Sequence, residues 1–435
     1  MKVLKFGGTS VGSPVSLRKV GEIVRAEGPS VVVLSAFSGT TNSLVKISEL
    51  LKDQQSDLAL AEVDDLKKHY QTYVNSLFDG SKLLSTVLDF VEEKFRSLEQ
   101  ITRKLITPAL ERSILAQGEL MSTQIFYWMM LDGGFEMELI SALDVMRIDQ
   151  HAEPDLKFLK EALNERIKAE NYYITQGYIC RNAFGEIDNL KRGGSDYSAS
   201  LIGAAIDANE IQIWTDIDGM HNNDPRIVDH TRPIERLSFA EAAELAYFGA
   251  KILHPSSVRP AAEAQIPVRL KNTMKPEAHG TLISSDSDSG GIKAIAAKDG
   301  ITAIKVKSAH MLLAYGFLKR LFEVFEWYRT SIDMITTSEV AVSITIDSDE
   351  HLEAIVEDLN KFGTVELDRD QTIICVVGDN LQEQSGIAVK VFEALKDINI
   401  RMISFGGSKN NVSVLVDTHS KNQALQALNE HLFNY

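Results

Sequence analysis

Short runs of β-branched and aromatic residues alternate along the first two thirds of the chain with stretches whose apolar positions recur every three to four residues. The runs Lys2–Phe6, Val31–Phe37, Glu136–Ser141, Tyr172–Ile179, Ile211–Thr215 and Pro267–Lys271 predict strands. Strands separated by helical stretches predict an α/β domain on a largely parallel sheet, because parallel neighbours need a crossover of helix length. From about Asn42 to Leu131 the pattern is helical apart from a break near Phe78-Asp79-Gly80, which predicts a helical sub-bundle beside the sheet.

The run Ser284-Ser285-Asp286-Ser287-Asp288-Ser289-Gly290-Gly291 is small and polar, and reads as a linker or as one surface hairpin. Beyond it the pattern repeats. Leu318, Leu321, Phe322 and Phe325 form one helical face, and Ala388, Val391, Phe392 and Leu395 form the same face 70 residues later. Ile332, Met334 and Ile335 match Ile400, Met402 and Ile403, and a second strand follows in each unit (Val340–Ile346, Val412–Val416). Two small α/β modules in tandem are the simplest reading.

A length of 435 residues suits two or three domains. With 61 acidic against 45 basic residues the net charge is −16, which argues against a nucleic-acid partner while leaving room for one basic pocket. No apolar run approaches the roughly 20 residues needed to span a bilayer, so no membrane role is expected. Cys180 and Cys375 form no CxxC pair, which argues against a disulfide framework and fits a reducing compartment. The chain opens on the strand pattern Val3-Leu4-Lys5-Phe6 without signal or transit character, and a cytoplasmic location is expected.

Four segments carry chemistry. Lys5-Phe6-Gly7-Gly8-Thr9-Ser10-Val11-Gly12 runs from a strand into a helix, where glycine amides, the helix dipole and Lys5 favour an anion. Neither GxxxxGK[ST] nor GxGxxG is present, and an ordinary Gly-rich turn explains the segment equally well on its own. In Leu190-Lys191-Arg192-Gly193-Gly194-Ser195-Asp196, Arg192 is suited to fork onto a carboxylate or phosphate, and Asp196 either caps a helix or serves the site. Trp214-Thr215-Asp216-Ile217-Asp218-Gly219 and Asp224-Pro225-Arg226 follow a strand end, where α/β proteins bind ligands and where plain turns also use Asp-Gly and Asp-Pro. In Gln117-Gly118-Glu119-Leu120, Glu119 either holds an ammonium group or complements a helix dipole. Lys251, within Phe248-Gly249-Ala250-Lys251-Ile252, reads alone as a surface lysine. His221 and His254 have no triad partners, and no HExxH, zinc spacing or GxSxG occurs.

The order of these segments resembles the aspartate kinase family. The resemblance is carried by Lys5-Phe6-Gly7-Gly8-Thr9-Ser10, Gly118-Glu119-Leu120, Arg192-Gly193-Gly194-Ser195-Asp196 and Trp214-Thr215-Asp216. It continues through Asp224-Pro225-Arg226, Phe248-Gly249-Ala250-Lys251 and Ile335-Thr336-Thr337-Ser338-Glu339, and so spans nearly the whole chain. It implies an amino-acid-kinase catalytic domain over 1–290, with a mostly parallel sheet flanked by helices. It also implies paired ferredoxin-like ACT regulatory domains over 296–435, in a monofunctional enzyme without a homoserine dehydrogenase half.

The implied reaction transfers the ATP γ-phosphoryl group to the side-chain carboxylate of L-aspartate, giving 4-phospho-L-aspartate at the head of the route to lysine, threonine and methionine. By resemblance, Lys5 stabilises phosphates and transition state, and Asp196 orients Lys5. Ser35, Thr41, Glu119, Arg192, Gly193, Gly194 and Ser195 form the aspartate pocket. Lys5, Gly7, Gly8, Thr9, Thr215, Asp216, His221, Arg226, Lys251 and Ile252 hold ATP, with Mg²⁺ arriving on the nucleotide and no dedicated metal site. Met311, Phe317, Ser331, Ile332, Asp333, Thr337, Ser338 and Glu339 form the effector pocket. Lysine is the favoured effector, because its ammonium suits Asp333 and Glu339, and threonine is the second, because Leu313 and Ala314 stand where lysine-sensitive relatives carry polar side chains. His221 stands where relatives carry a tyrosine. A homodimer or larger homo-oligomer is expected. The rival readings are a kinase acting on glutamate, acetylglutamate or carbamate, and a non-catalytic amino-acid sensor.

Overall fold

The computed structural model describes residues 1–190, 193–249, 253–285, 290–308, 311 and 315–433. The chain divides into two compact units, one of residues 1–220 with 253–285 and one of residues 221–252 with 286–435.

In the first unit the strand Lys2–Phe6 lies at the middle of the sheet, flanked by parallel strands Ser30–Leu34 and Glu210–Thr215. Tyr173–Gln176 and Glu138–Leu139 extend the sheet on one side; Val268–Asn272 and then antiparallel Thr281–Ser284 extend it on the other. Val31–Leu34 and Ile211–Trp214 are continuously buried, as strands covered on both faces must be. Phe6 stacks on Trp214 at 5.7 Å between ring centroids, which ties the central strand to its neighbour. Because the three strands are parallel, the loops after Phe6, Leu34 and Thr215 leave the sheet at the same edge.

The expected sub-bundle is present as helices Thr40–Lys52, Ser56–Leu77, Leu84–Ile101 and Gln117–Asp132, broken at Phe78 as predicted. Its residues Leu44, Val63, Tyr70, Val91, Phe95 and Ile125 share one core with Leu4, Phe6, Val32 and Leu34 of the sheet. Two expected strands differ. Tyr172–Ile179 splits after Gln176, because Tyr178 turns to φ +65° and Ile179–Arg181 pairs instead in a hairpin with Ile187–Asn189. Glu136–Ser141 shrinks to Glu138–Leu139, an edge strand with a single neighbour.

Among the described residues of the second unit, six strands form an antiparallel sheet in the order Ile335–Thr337, Ala341–Ile346, Gly291–Lys307, Thr364–Asp379, Asn411–Asp417, Ile400–Phe405. The two long central strands pair from Gly291↔Asp379 to Lys307↔Thr364, so the tandem modules share one sheet. Each module keeps its own core. Helices Phe317–Trp327 and Leu352–Leu359 cover Ile304, Val306, Val342 and Ile344; Ile387–Ala394 and Lys421–Phe433 cover Ile374, Val376, Val414 and Val416.

Both repeated helices bury the expected Leu321 and Phe325 or Val391 and Leu395, but each face begins one residue earlier than expected. Phe317 and Ile387 are buried, whereas Leu318 is 38% exposed and Ala388 only half-buried. Each buried residue follows a glycine with positive φ, Gly316 (φ +78°) or Gly386 (φ +86°), and that turn sets where the helix enters the core.

The single boundary expected near residue 290 does not divide the compact units. Segment 221–252 packs with the C-terminal residues: Ile295 N–H donates to Asn222 O (2.8 Å), Asn223 Nδ2 to Leu425 O (3.2 Å), and Val228 joins the core of Ile374 and Leu425. Residues 286–289 of the expected linker lie outside the described residues. Among those described, no helix is long and apolar enough to cross a membrane.

The repeat makes a direct prediction. Leu321→Ala, at a fully buried position, should destabilise the second unit by about 2–5 kcal/mol in urea unfolding. Leu318→Ala should change it by less than about 0.5 kcal/mol. Equal effects would contradict the shifted face.

Candidate active site

Lys5 lies on the central strand between two fully buried residues, Leu4 and Phe6, and its own side chain is only 11% exposed. Its Nζ stands 2.6 Å from Asp196 Oδ1. A Cβ on Gly7 would come within 3.3 Å of that Nζ, so the ammonium overhangs the glycine turn. Asp196 sits in the first turn of helix Gly194–Ala205, but the N-cap is Gly193 and no side chain caps it. The carboxylate serves Lys5 instead. Gly193 has φ +72°, and a Cβ there would lie 1.7 Å from Ser257 Oγ, so only glycine fits this turn.

The next loop is fastened to the same centre. Ser35 N–H donates to Phe6 O (3.2 Å), Ser35 Oγ donates to Ser195 Oγ (2.9 Å), and Ser122 Oγ donates to Ser35 O (2.9 Å). Thr41 is exposed at the start of its helix, while its neighbour Thr40 is buried with Oγ1 3.1 Å from Tyr70 Oη. Phe37 stacks on Tyr73 at 4.3 Å, and Tyr73 Oη donates to Val11 O (2.9 Å). The sub-bundle thus holds both loops that flank Lys5.

Glu119 is the third residue of helix Gln117–Asp132 and is 4% exposed. Its Oε1 accepts the Ala36 N–H at 3.4 Å, and its Oε2 has no hydrogen-bond partner among the described residues. Burial pushes its pKa up to about 7, against the opposing pull of the backbone N–H groups of Ala36 and Glu119. A dry carboxylate with one free oxygen is a receptor for a cation.

The nucleotide candidates are distributed between the units. In the first, Ser10 joins two loops, with Oγ 2.7 Å from Thr273 Oγ1 and donating to Trp214 O (3.2 Å). Gly7, Gly8 and the exposed Thr9 precede it, and Thr215 Oγ1 donates to Asp216 Oδ1 (3.0 Å) nearby in sequence to Trp214. In the second, His221 Nδ1 lies 3.0 Å from Thr231 Oγ1. Arg226 is 84% exposed and donates to Asp224 from Nε and Nη2 (2.9 and 2.7 Å). Arg192, Lys251 and Ile252 lie outside the described residues. No three His, Cys, Asp or Glu side chains gather as a metal cage among those described.

Of the effector candidates, Phe317 belongs to the first module's core, with Met311 and Ile332 packed against it. Ser331, Thr337, Ser338 and Glu339 are exposed. Asp333 is fully buried at its side chain and pairs with Lys298, a residue no motif pointed to. Ser122, Tyr70 and Tyr73 were also missed. Ser122 lies two residues beyond the motif Gln117-Gly118-Glu119-Leu120; the tyrosines read in sequence only as helix core.

An amino acid kinase family model matches residues 1–272, and an ACT domain model matches residues 374–432. The lysine-sensitive aspartokinase 3 of Escherichia coli is 33% identical over 448 residues, covering 99% of both chains. The crystal structure of E. coli aspartokinase III with aspartate and ADP (R-state) matches at a TM-score of 0.85 and 32% identity, covering 100% of both chains. The same protein with lysine and aspartate (T-state) matches at 0.84 and 31%, again over 100% of both chains.

The Glu119 environment has a measurable signature. A carboxyl whose folded pKa of about 7 exceeds its ordinary 4.5 keeps its proton longer when folded, so stability falls as pH rises between those values. Glu119→Gln removes that loss. Between pH 5 and pH 8 the variant should gain up to about 3 kcal/mol over the wild type in urea unfolding. Parallel pH profiles would refute the buried, cation-seeking carboxylate.

Proposed function

The chain belongs to the aspartokinases of the amino acid kinase family, and from that premise we propose how its side chains divide the work of phosphorylating L-aspartate. An oxygen of the substrate's side-chain carboxylate bonds to the γ-phosphorus of ATP. The bond from that phosphorus to the bridging oxygen breaks, and ADP leaves. A carboxylate of ordinary pKa near 4 is already ionised at pH 7, so no general base is needed. The difficulty is to bring two anions together and to stabilise the charge spread over the transferring group.

The observation that carries this reading is the 2.6 Å contact between Lys5 and Asp196 over the glycine turn. Lys5 is the fixed cation of phosphoryl transfer, and Asp196 holds it in place. Glu119 takes the α-ammonium of aspartate on its free oxygen. Arg192 with Gly193, Gly194 and Ser195 takes the α-carboxylate, and Ser35 and Thr41 complete the pocket. Gly7, Gly8, Thr9, Thr215, Asp216, His221, Arg226, Lys251 and Ile252 hold ATP, with Arg226 exchanging Asp224 for phosphate. Mg²⁺ belongs with the nucleotide phosphates, and it supplies charge neutralisation when bound.

Residues 296–435 form the regulatory part and 1–290 the catalytic part, in a cytoplasmic homodimer or larger homo-oligomer. The E. coli relative is lysine-sensitive, and Asp333 with Glu339 offers carboxylates to an ammonium-bearing effector. Lysine is the first candidate and threonine the second.

ADP release with Mg-ATP tests the assignment. L-aspartate should support turnover and L-glutamate should not. Lys5→Ala should lower turnover by at least about 10²–10³-fold with an unchanged circular dichroism spectrum. Near-normal turnover of that variant would remove Lys5 from the mechanism.

A further inference from the structure

The carboxylate assigned to the effector pocket already has a cationic partner within the chain. Asp333 has a side chain 0% exposed, and Lys298 Nζ lies 2.8 Å from its Oδ1 and 2.9 Å from Asp347 Oδ2. Tyr247 Oη donates to the same Asp333 Oδ1 at 2.7 Å, and the Lys298 ammonium sits 4.4 Å from the Tyr247 ring centroid. Asp333 Oδ2 has no hydrogen-bond partner among the described residues. Burial works against the Lys298 charge, but its bonds to Asp333 and Asp347 more than offset this and hold its pKa up. A buried carboxylate needs a cation, and this one has an internal cation and an oxygen to spare.

We propose that Lys298 is a tethered stand-in for the effector's ammonium group: it fills the Asp333 site in the free enzyme and is displaced when an amino acid binds there. The proposal rests on the reading of Asp333 as an effector carboxylate and adds what competes for it.

Displacement is connected to the nucleotide candidates by Tyr247. This residue ends helix Phe239–Tyr247, whose Glu244 Oε2 accepts from Asn411 Nδ2 (2.6 Å), so the helix is tied to both modules of the sheet. Two residues later Gly249 has φ +123°, and a Cβ there would lie 2.0 Å from Ala297 O. Only glycine allows that approach, and it sets Gly249 against the residue next to Lys298. An ammonium ligand at Asp333 therefore disturbs Lys298, Tyr247 and the Gly249 turn together, and Lys251 is the second residue after that turn in sequence.

The test is L-lysine binding to the full chain by calorimetry and by the shift in melting temperature. Lys298→Met should bind L-lysine at least about tenfold more tightly than wild type, since the occupied fraction of the site no longer lowers the apparent affinity. If the variant is destabilised by its unpaired carboxylate, L-lysine should raise its melting temperature more than that of the wild type. Tyr247→Phe keeps the ring beneath Lys298 and should bind L-lysine while losing most of the effect of L-lysine on the KM for ATP. Equal or weaker binding by Lys298→Met would overturn the stand-in and leave the effector site standing. Absence of binding in both proteins would overturn the effector reading and the stand-in with it. Full L-lysine inhibition of Tyr247→Phe would overturn the connection through Tyr247.

Discussion

A carboxylate and a polyphosphate repel each other, and the repulsion grows as water leaves the space between them. On the proposed reading, the first unit answers that constraint with one immobilised positive charge. Lys5 emerges from the middle of a sheet whose neighbours are buried on both faces, so its backbone has nowhere to move. Asp196 fixes the far end of the side chain at 2.6 Å. The helical sub-bundle, remote in sequence from either residue, fastens the flanking loops through Phe37, Tyr70 and Tyr73. A flexible cation would have to be ordered during the reaction; this one is ordered beforehand.

The same rule governs the second unit with the roles exchanged. There the buried group is a carboxylate, Asp333, paired with the cation Lys298. On the proposed reading, one unit offers a lysine to an anionic substrate and the other a carboxylate to an ammonium group. Asp333 reaches the helix Phe239–Tyr247 by a single hydrogen bond. Segment 221–252, which lies among catalytic motifs in sequence, packs with the C-terminal residues in space.

Much of this was legible in the sequence wherever the pattern was local. The strands Lys2–Phe6 and Ile211–Thr215 announced themselves by short β-branched and apolar runs, and the family motifs brought Lys5, Asp196, Ser35, Ser195 and Glu119 into one list before the fold brought them into one place. What stayed hidden was decided by partners far away in the chain. The face of helix Phe317–Trp327 depends on a positive-φ turn at Gly316 that a periodic pattern does not encode. Tyr172–Ile179 looked continuous because the turn at Tyr178 is made by a non-glycine residue. Lys298 is one lysine among many until the sheet carries it to Asp333.

The two long strands Gly291–Lys307 and Thr364–Asp379 serve both modules at once, since each runs from one core to the other. Side chains alternate between the two faces of a strand, so losing or gaining one residue midway would turn every later side chain to the opposite face. In separate modules such an event would spoil one core and spare its neighbour. Here a single indel would damage two cores, with the existing register shifts at Ile292/Ala294 and around Ile301 the places already built to absorb an odd residue. Descendants of this gene should therefore vary in length at their loops and keep these strands at constant length.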